Sequence, residues 1–188
     1  MSIYIVNGAA GSGKTTFEKN VKAIIGDDCY ILSTITPIKE IMITIGWDGR
    51  KDLESRKLMS DLKDLLTKYN DFSFNYICNK IEEIKNEYYG YQQFPTFFVD
   101  CREPEEIKRL CDKLDAKSLL IRRASAENKE TSNHADANVL NYNYDIVIEN
   151  NGDLRDYAYK ALEFVDNERI VRKSNKLTVN LFGEIIEE

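Results

Sequence analysis

The chain has 188 residues, of which 43% are hydrophobic and 31% charged, the balance of a globular α/β-sized domain with enough length to bury a core. Its net charge of −6 and isoelectric point near 5.0 argue against a nucleic acid polymer as the main partner, because gripping a phosphate backbone needs a basic surface. Cys29, Cys78, Cys101 and Cys111 form no C-x-x-C pair and His134 is the single histidine, so zinc spacing is missing and reduced, buried thiols are expected. No apolar run approaches the roughly 20 residues of a membrane span and no basic-then-apolar leader precedes the first strand, so a cytoplasmic protein without a membrane partner is the expectation.

Residues 3–7 form an apolar run that reads as a strand, and it leads straight into Gly8-Ala9-Ala10-Gly11-Ser12-Gly13-Lys14-Thr15-Thr16. This is the G-x-x-x-x-G-K-T pattern of a phosphate-binding loop, in the strand-before, helix-after context it requires. Glycines let backbone N–H groups approach phosphates, Lys14 reaches the β and γ oxygens, the Thr15 hydroxyl is a Mg²⁺ ligand, and the helix over 14–25 adds its positive end. The expected ligand is therefore a nucleoside triphosphate with Mg²⁺.

A second buried strand is expected at 29–33, followed by a helix at 37–45 with proline in its first turn. About sixty residues, 34–95, then separate this strand from the next, far more than a crossover requires. Leu53, Leu58, Leu62, Leu65 and Leu66 recur at helical spacing, as do Phe74, Ile77, Ile81 and Ile84, which predicts two amphipathic helices in a helical insertion. The third strand, 96–100, delivers Asp100 at its C-terminal end, where open α/β sheets hold ligands, and Asp100 is a candidate to hold Mg²⁺ through water or to position an acceptor. Arg102 follows it as a candidate clamp for an acceptor's phosphate.

Further on, a helix at 103–114, a strand at 118–121, a strand at 144–149 and a helix at 154–165 complete an alternating β/α order, the signature of a mostly parallel, doubly wound sheet. Arg122 and Arg123 leave the fourth strand into a polar segment with little apolar periodicity, so 122–138 is the expected lid. Either arginine is a candidate to meet charge on a migrating phosphoryl group. Residues 171–188 alternate loosely like a strand after the fold is otherwise complete, with an edge strand, a contact with a second copy in a homodimer, or a plain extension as the alternatives. The absence of a Pro/Gly/Ser linker points to one domain over 1–188.

These residues resemble the P-loop nucleoside monophosphate kinases, and more closely the phage-type deoxynucleoside monophosphate kinases related to animal phosphomevalonate kinases. Besides the phosphate loop, the resemblance rests on 45–52 continuing to 56–63, on Asp100-Cys101-Arg102-Glu103-Pro104-Glu105-Glu106-Ile107, and on 144–154. It implies a P-loop three-layer sandwich with a five-stranded, mostly parallel sheet, helices on both faces, an acceptor-binding insertion at 34–95 and a lid at 122–138. It also implies that Lys39, Arg50, Arg56 and Lys63 line an acceptor pocket, that Trp47 stacks on a base, and that the Asn150-Asn151-Gly152 turn lies against adenine. The implied activity is transfer of the γ-phosphate of ATP to a small phosphorylated substrate, a nucleoside monophosphate or its deoxy form.

The rival readings are a nucleotide-dependent hydrolase or switch and a regulatory P-loop protein without a small-molecule acceptor. No Asp-x-x-Gly occurs and Asn79-Lys80 continues Ile-Glu, which leaves a GTPase switch without its guanine-recognition pattern. Lys14→Met is expected to abolish phosphotransfer while circular dichroism stays native; full activity in that variant would exclude the reading.

Overall fold

A strand of uninterrupted apolar residues is stable only with cover on both faces, and three such strands fill the centre of the sheet. The computed structural model describes residues 1–50, 52–91, 94–127 and 139–187. In it β1 (Ser2–Asn7), β2 (Cys29–Ser33), β3 (Thr96–Asp100), β4 (Lys117–Arg122) and β5 (Ile146–Glu149) form one sheet in the order β2-β3-β1-β4-β5. β1 pairs in parallel with β3 and β4, and β4 with β5. The register sets Val6 beside Asp100, Asn7 beside Leu120 and Arg122 beside Glu149, so these strands end together on one edge.

The five strands expected from the sequence are all present, with boundary shifts of one or two residues. The expectation of burial on both faces holds for β1, β3 and β4; the outer strands β2 and β5 leave Ile31 and Val147 exposed. The last strand starts at Ile146, two residues later than its apolar pattern suggests. Asp145 turns its side chain to neighbouring β4 there, accepting hydrogen bonds from Ser118 N (2.8 Å) and Ser118 Oγ (2.6 Å) in place of regular ladder pairing.

Side chains alternate across the pleat. Tyr4, Val6, Phe98, Leu119 and Ile121 meet α1 (Lys14–Ile25) and the helix Leu154–Asn167, which we call α7 after α6 (Ala124–Glu127). α5 (Pro104–Leu114) packs on β1 and β4 and buries Ile107 and Leu110. The α1–α7 side is aromatic: Phe164 lies 5.0 Å from Tyr4, 5.3 Å from Phe17 and 6.0 Å from Phe98, ring centre to ring centre.

Within residues 171–188, for which the sequence leaves an edge strand, a contact with a second copy and a plain extension as alternatives, β6 (Leu177–Val179) and β7 (Ile185–Glu187) form a separate antiparallel hairpin. Leu177 and Val179 are buried in the α1–α7 core and Ile185 packs against it. Gly183, at φ +79°, lies so near the backbone of Leu154 and Arg155 that a Cβ would fall under 3.0 Å from it. The alternation therefore marks a hairpin that sets Leu177, Val179 and Ile185 against the core, while Leu181 and Phe182 at its turn are exposed.

Residues Leu32–Gly90 form a second compact unit. It holds α2 (Thr36–Thr44), α3 (Leu53–Asn70) and α4 (Phe72–Glu87). Asp52 caps α3 by accepting from Ser55 N at 2.7 Å, and Asp71, at φ 54°, ends α3 and starts α4. Ile77, Ile81 and Ile84 are buried as their spacing predicts. The leucine stripe of α3 departs from expectation, since no residue of that helix is buried and Leu53 is 77% exposed. Helical spacing sets which residues share a face but carries no information on whether that face is covered.

Phe164→Ala removes the ring shared by Tyr4, Phe17 and Phe98, and is expected to lower the unfolding free energy by about 3–5 kcal/mol, read as a shifted denaturation midpoint at constant slope.

Candidate functional site

The turn after β1 is built on positive-φ glycines: Gly8 at 153°, Gly11 at 83° and Gly13 at 103°. A side chain at Gly8 would meet the Ile121 carbonyl, and one at Gly13 the Asn150 amide, both under 3.0 Å. Gly11 differs, with nothing within 4 Å of where its Cβ would be, so the loop is open at that point. Lys14 folds back over the turn and donates to the carbonyls of Gly8 (2.5 Å) and Ala9 (3.3 Å).

α1 starts at Gly13 without a side-chain cap and without an acid in its first turn. Its first N–H groups have no intrahelical acceptor, and no carboxylate competes for them. α3 and α7, by contrast, are capped by Asp52 and Asp153. Thr15 and Thr16 are exposed beside the uncapped turn, while Ser12 Oγ is buried without a hydrogen-bond partner. Open backbone at Gly11, uncapped amides, a flexible ammonium and an orphaned hydroxyl together suit a polyphosphate anion. The Thr15 hydroxyl and the Asp100 carboxylate are the hard oxygen donors that suit Mg²⁺.

The loop is braced from outside. Asn150 is buried and its Nδ2 donates to the Ser12 carbonyl at 2.8 Å, while Tyr157 Oη donates to the Gly13 carbonyl at 3.1 Å. Burial, then the nearby Glu18 charge, raises the Tyr157 phenol, opposed by Arg123. Asn7 closes the other side: its Oδ1 accepts from Gly8 N (2.8 Å), and its Nδ2 donates to Arg102 O (3.2 Å) and to Tyr144 Oη (2.7 Å). Tyr144 in turn donates to the Val139 carbonyl at 2.9 Å, and burial pushes its hydroxyl up to about 12.

The sheet edge thus gathers Gly8 to Thr16, Asp100, Arg102, Arg122, Arg123 and Asn150. Arg102 is exposed. Arg122 is half-buried with its guanidinium 3.5 Å from Glu149 Oε1, and Arg123 is exposed. Asn150 uses its amide on the loop itself, and Asn151 accepts from Ala124 N at 2.9 Å. Most of the expected lid, 128–138, lies outside the described residues. The expected acceptor residues sit on the Leu32–Gly90 unit. There Trp47 Nε1 donates to Arg50 O (3.0 Å), Arg50 pairs with Asp48 (2.6 Å), Lys63 donates to Thr34 Oγ1 (3.3 Å), and Lys39 and Arg56 are exposed.

Sequence reasoning missed Asn7, Tyr144, Tyr157 and Glu18. Glu18 had a visible signal, an acid within the stretch that buries Phe17, Val21, Ile24 and Ile25. It is 1% exposed, and burial, then the Asp100 charge, raises its carboxyl to about 8, with Lys14 acting the other way.

No family model matches this chain, and no curated protein matches it either. Among solved structures, TT1252 from Thermus thermophilus is similar at a TM-score of 0.51 and 16% identity, over 89% of this chain and 97% of that one. A sugar kinase from Janibacter sp. HTCC2649 aligns at 0.45 and 12%, over 88% and 95%. The APS kinase of Mycobacterium tuberculosis aligns at 0.39 and 11%, over 89% and 96%. The likeness to TT1252 is one of fold, and it agrees with the three-layer α/β arrangement seen here.

Asn150→Ala strands the buried Ser12 carbonyl and is expected to cost about 1–3 kcal/mol of stability, measurable by urea unfolding; an unchanged midpoint would mean that the loop holds itself.

Proposed function

We propose that the chain is an ATP-dependent kinase that transfers the γ-phosphate to a small phosphorylated acceptor, a nucleoside monophosphate or its deoxy form. The observation that carries this reading is one sheet edge bearing an uncapped, glycine-built phosphate loop with Lys14 across it and Asp100, Arg102, Arg122 and Arg123 around it. A hydrolase needs the loop and a water. Several arginines at the same edge favour two anionic substrates over one.

In this reading the backbone N–H groups from Gly8 to Thr16 bind the β- and γ-phosphates, and Lys14 leaves its carbonyl partners to neutralise oxygens between them. Thr15 and Asp100 would hold Mg²⁺, which would supply charge neutralisation to the bound triphosphate. Arg102 orients the acceptor's phosphate by paired N–H donors. Arg122 or Arg123 meets the charge that spreads over the migrating group, an effect worth about 10³-fold or more in rate. An acceptor phosphate oxygen attacks the γ-phosphorus in line; the bond to the β–γ bridging oxygen breaks, and ADP leaves. A phosphate monoester is already ionised near neutral pH, so no general base is required. Lys39, Trp47, Arg50, Arg56 and Lys63 are proposed as acceptor contacts from the helical unit.

A coupled ADP-release assay over ribo- and deoxynucleoside monophosphates and phosphomevalonate tests the proposal. ADP release that depends on one class of monophosphate is expected. Equal release without any acceptor would replace the kinase with a hydrolase.

A further inference from the structure

Glu18 has no evident reason to be where it is. It follows Lys14 by four residues and Thr15 by three, so all three share one side of α1. Glu18 is 1% exposed, and its Oε1 is buried with no hydrogen-bond partner. The charges that act on it come from Asp100, at the end of β3, and from Lys14. A buried carboxylate that feels the charge of another acid opposes folding unless a cation or a set of donors satisfies it. A core helix has no use for such a group, because a leucine or methionine at the same place would pack at lower cost.

The surroundings supply the missing partner's chemistry. The Thr15 hydroxyl, the Asp100 carboxylate and the Glu18 carboxylate are hard oxygen donors on two elements that converge at the phosphate loop. Three residues of helix separate Glu18 from Thr15, about 4.5 Å along the axis, so Glu18 lies one step deeper than a direct ligand at Thr15. Mg²⁺ keeps several of its waters when it binds, and a carboxylate one step behind the ligands is suited to accept hydrogen bonds from them.

We propose that Glu18 is a positioning residue for the divalent cation that accompanies the bound nucleotide, accepting hydrogen bonds from water in the ion's shell alongside Asp100. This rests on the nucleotide site proposed above and adds a residue to it. The buried acid is then the inner wall of the cation's water shell, and its orphaned oxygen is the acceptor reserved for that water.

The test is Mn²⁺ titration of the full chain in the presence of ADP, followed by electron paramagnetic resonance of the free ion, for wild type, Glu18→Gln and Glu18→Met. ADP affinity without metal and the melting temperature are measured alongside. Both variants are expected to bind Mn²⁺ about 10- to 100-fold more weakly, while metal-free ADP affinity and melting temperature are not lowered. A merely structural Glu18 would move the melting temperature instead. Mn²⁺ affinity within twofold of wild type in either folded variant overturns the Glu18 role and leaves the kinase reading standing. Wild-type protein that binds no ADP overturns both.

Discussion

A loop that places three glycines in left-handed backbone is costly to order, because residues without side chains lose the most freedom when they are fixed. The stiffness of this phosphate loop comes from elsewhere. Asn150 holds Ser12, Tyr157 holds Gly13, and Asn7 holds Gly8. Those three side chains come from the turn after β5, from α7 and from the end of β1, so the geometry of the loop depends on sheet and helices being assembled around it. The aromatic packing of Phe164 and Phe17 behind the loop serves the same end, since it fixes α7 against α1. Donors fixed before a charge arrives stabilise it at least cost, and the bracing fixes the backbone groups of the loop in this way, whereas Lys14 is held on the carbonyls of Gly8 and Ala9.

The parts of the molecule that could be read from the sequence are those written in local pattern. Continuous apolar runs announced the central strands, and the spacing of glycines with Lys14 and Thr15 announced the loop. The parts that escaped are written in distance. The partners of Asn7, Asn150 and Tyr157 stand 137, 138 and 144 residues away, and no local periodicity encodes such pairings. Glu18 was readable in principle, as an acid on an apolar stripe, yet without the fold it looked like one more charge on a charged helix.

The helical unit shows the opposite limit. Its α3 has leucines at helical spacing and a capping aspartate, and the helix forms as expected, but no residue of it is buried. Its cations are drawn into local pairs, Arg50 with Asp48 and Lys63 with Thr34. The Arg50–Asp48 pair is exposed, and such a pair is worth little in stability, so a phosphorylated ligand can compete for it. The features that make a residue useful for binding, exposure and weak commitment, are those that leave least trace in a pattern of apolar residues.

The hairpin at 177–187 has a consequence for how the molecule comes into being. β1 is made before either strand that flanks it, and its register partners, Thr96 onward and Lys117 onward, follow about a hundred residues later. Leu177 and Val179 complete the apolar face behind α1 and α7 later still. At ribosomal speeds of about 5–20 residues per second, β1 and α1 wait roughly 5 to 30 seconds for the residues that cover their apolar faces. The nascent chain is therefore most exposed to aggregation and to chaperones in that interval, and its phosphate loop, made ahead of both strands that flank β1, takes its working shape only after they follow.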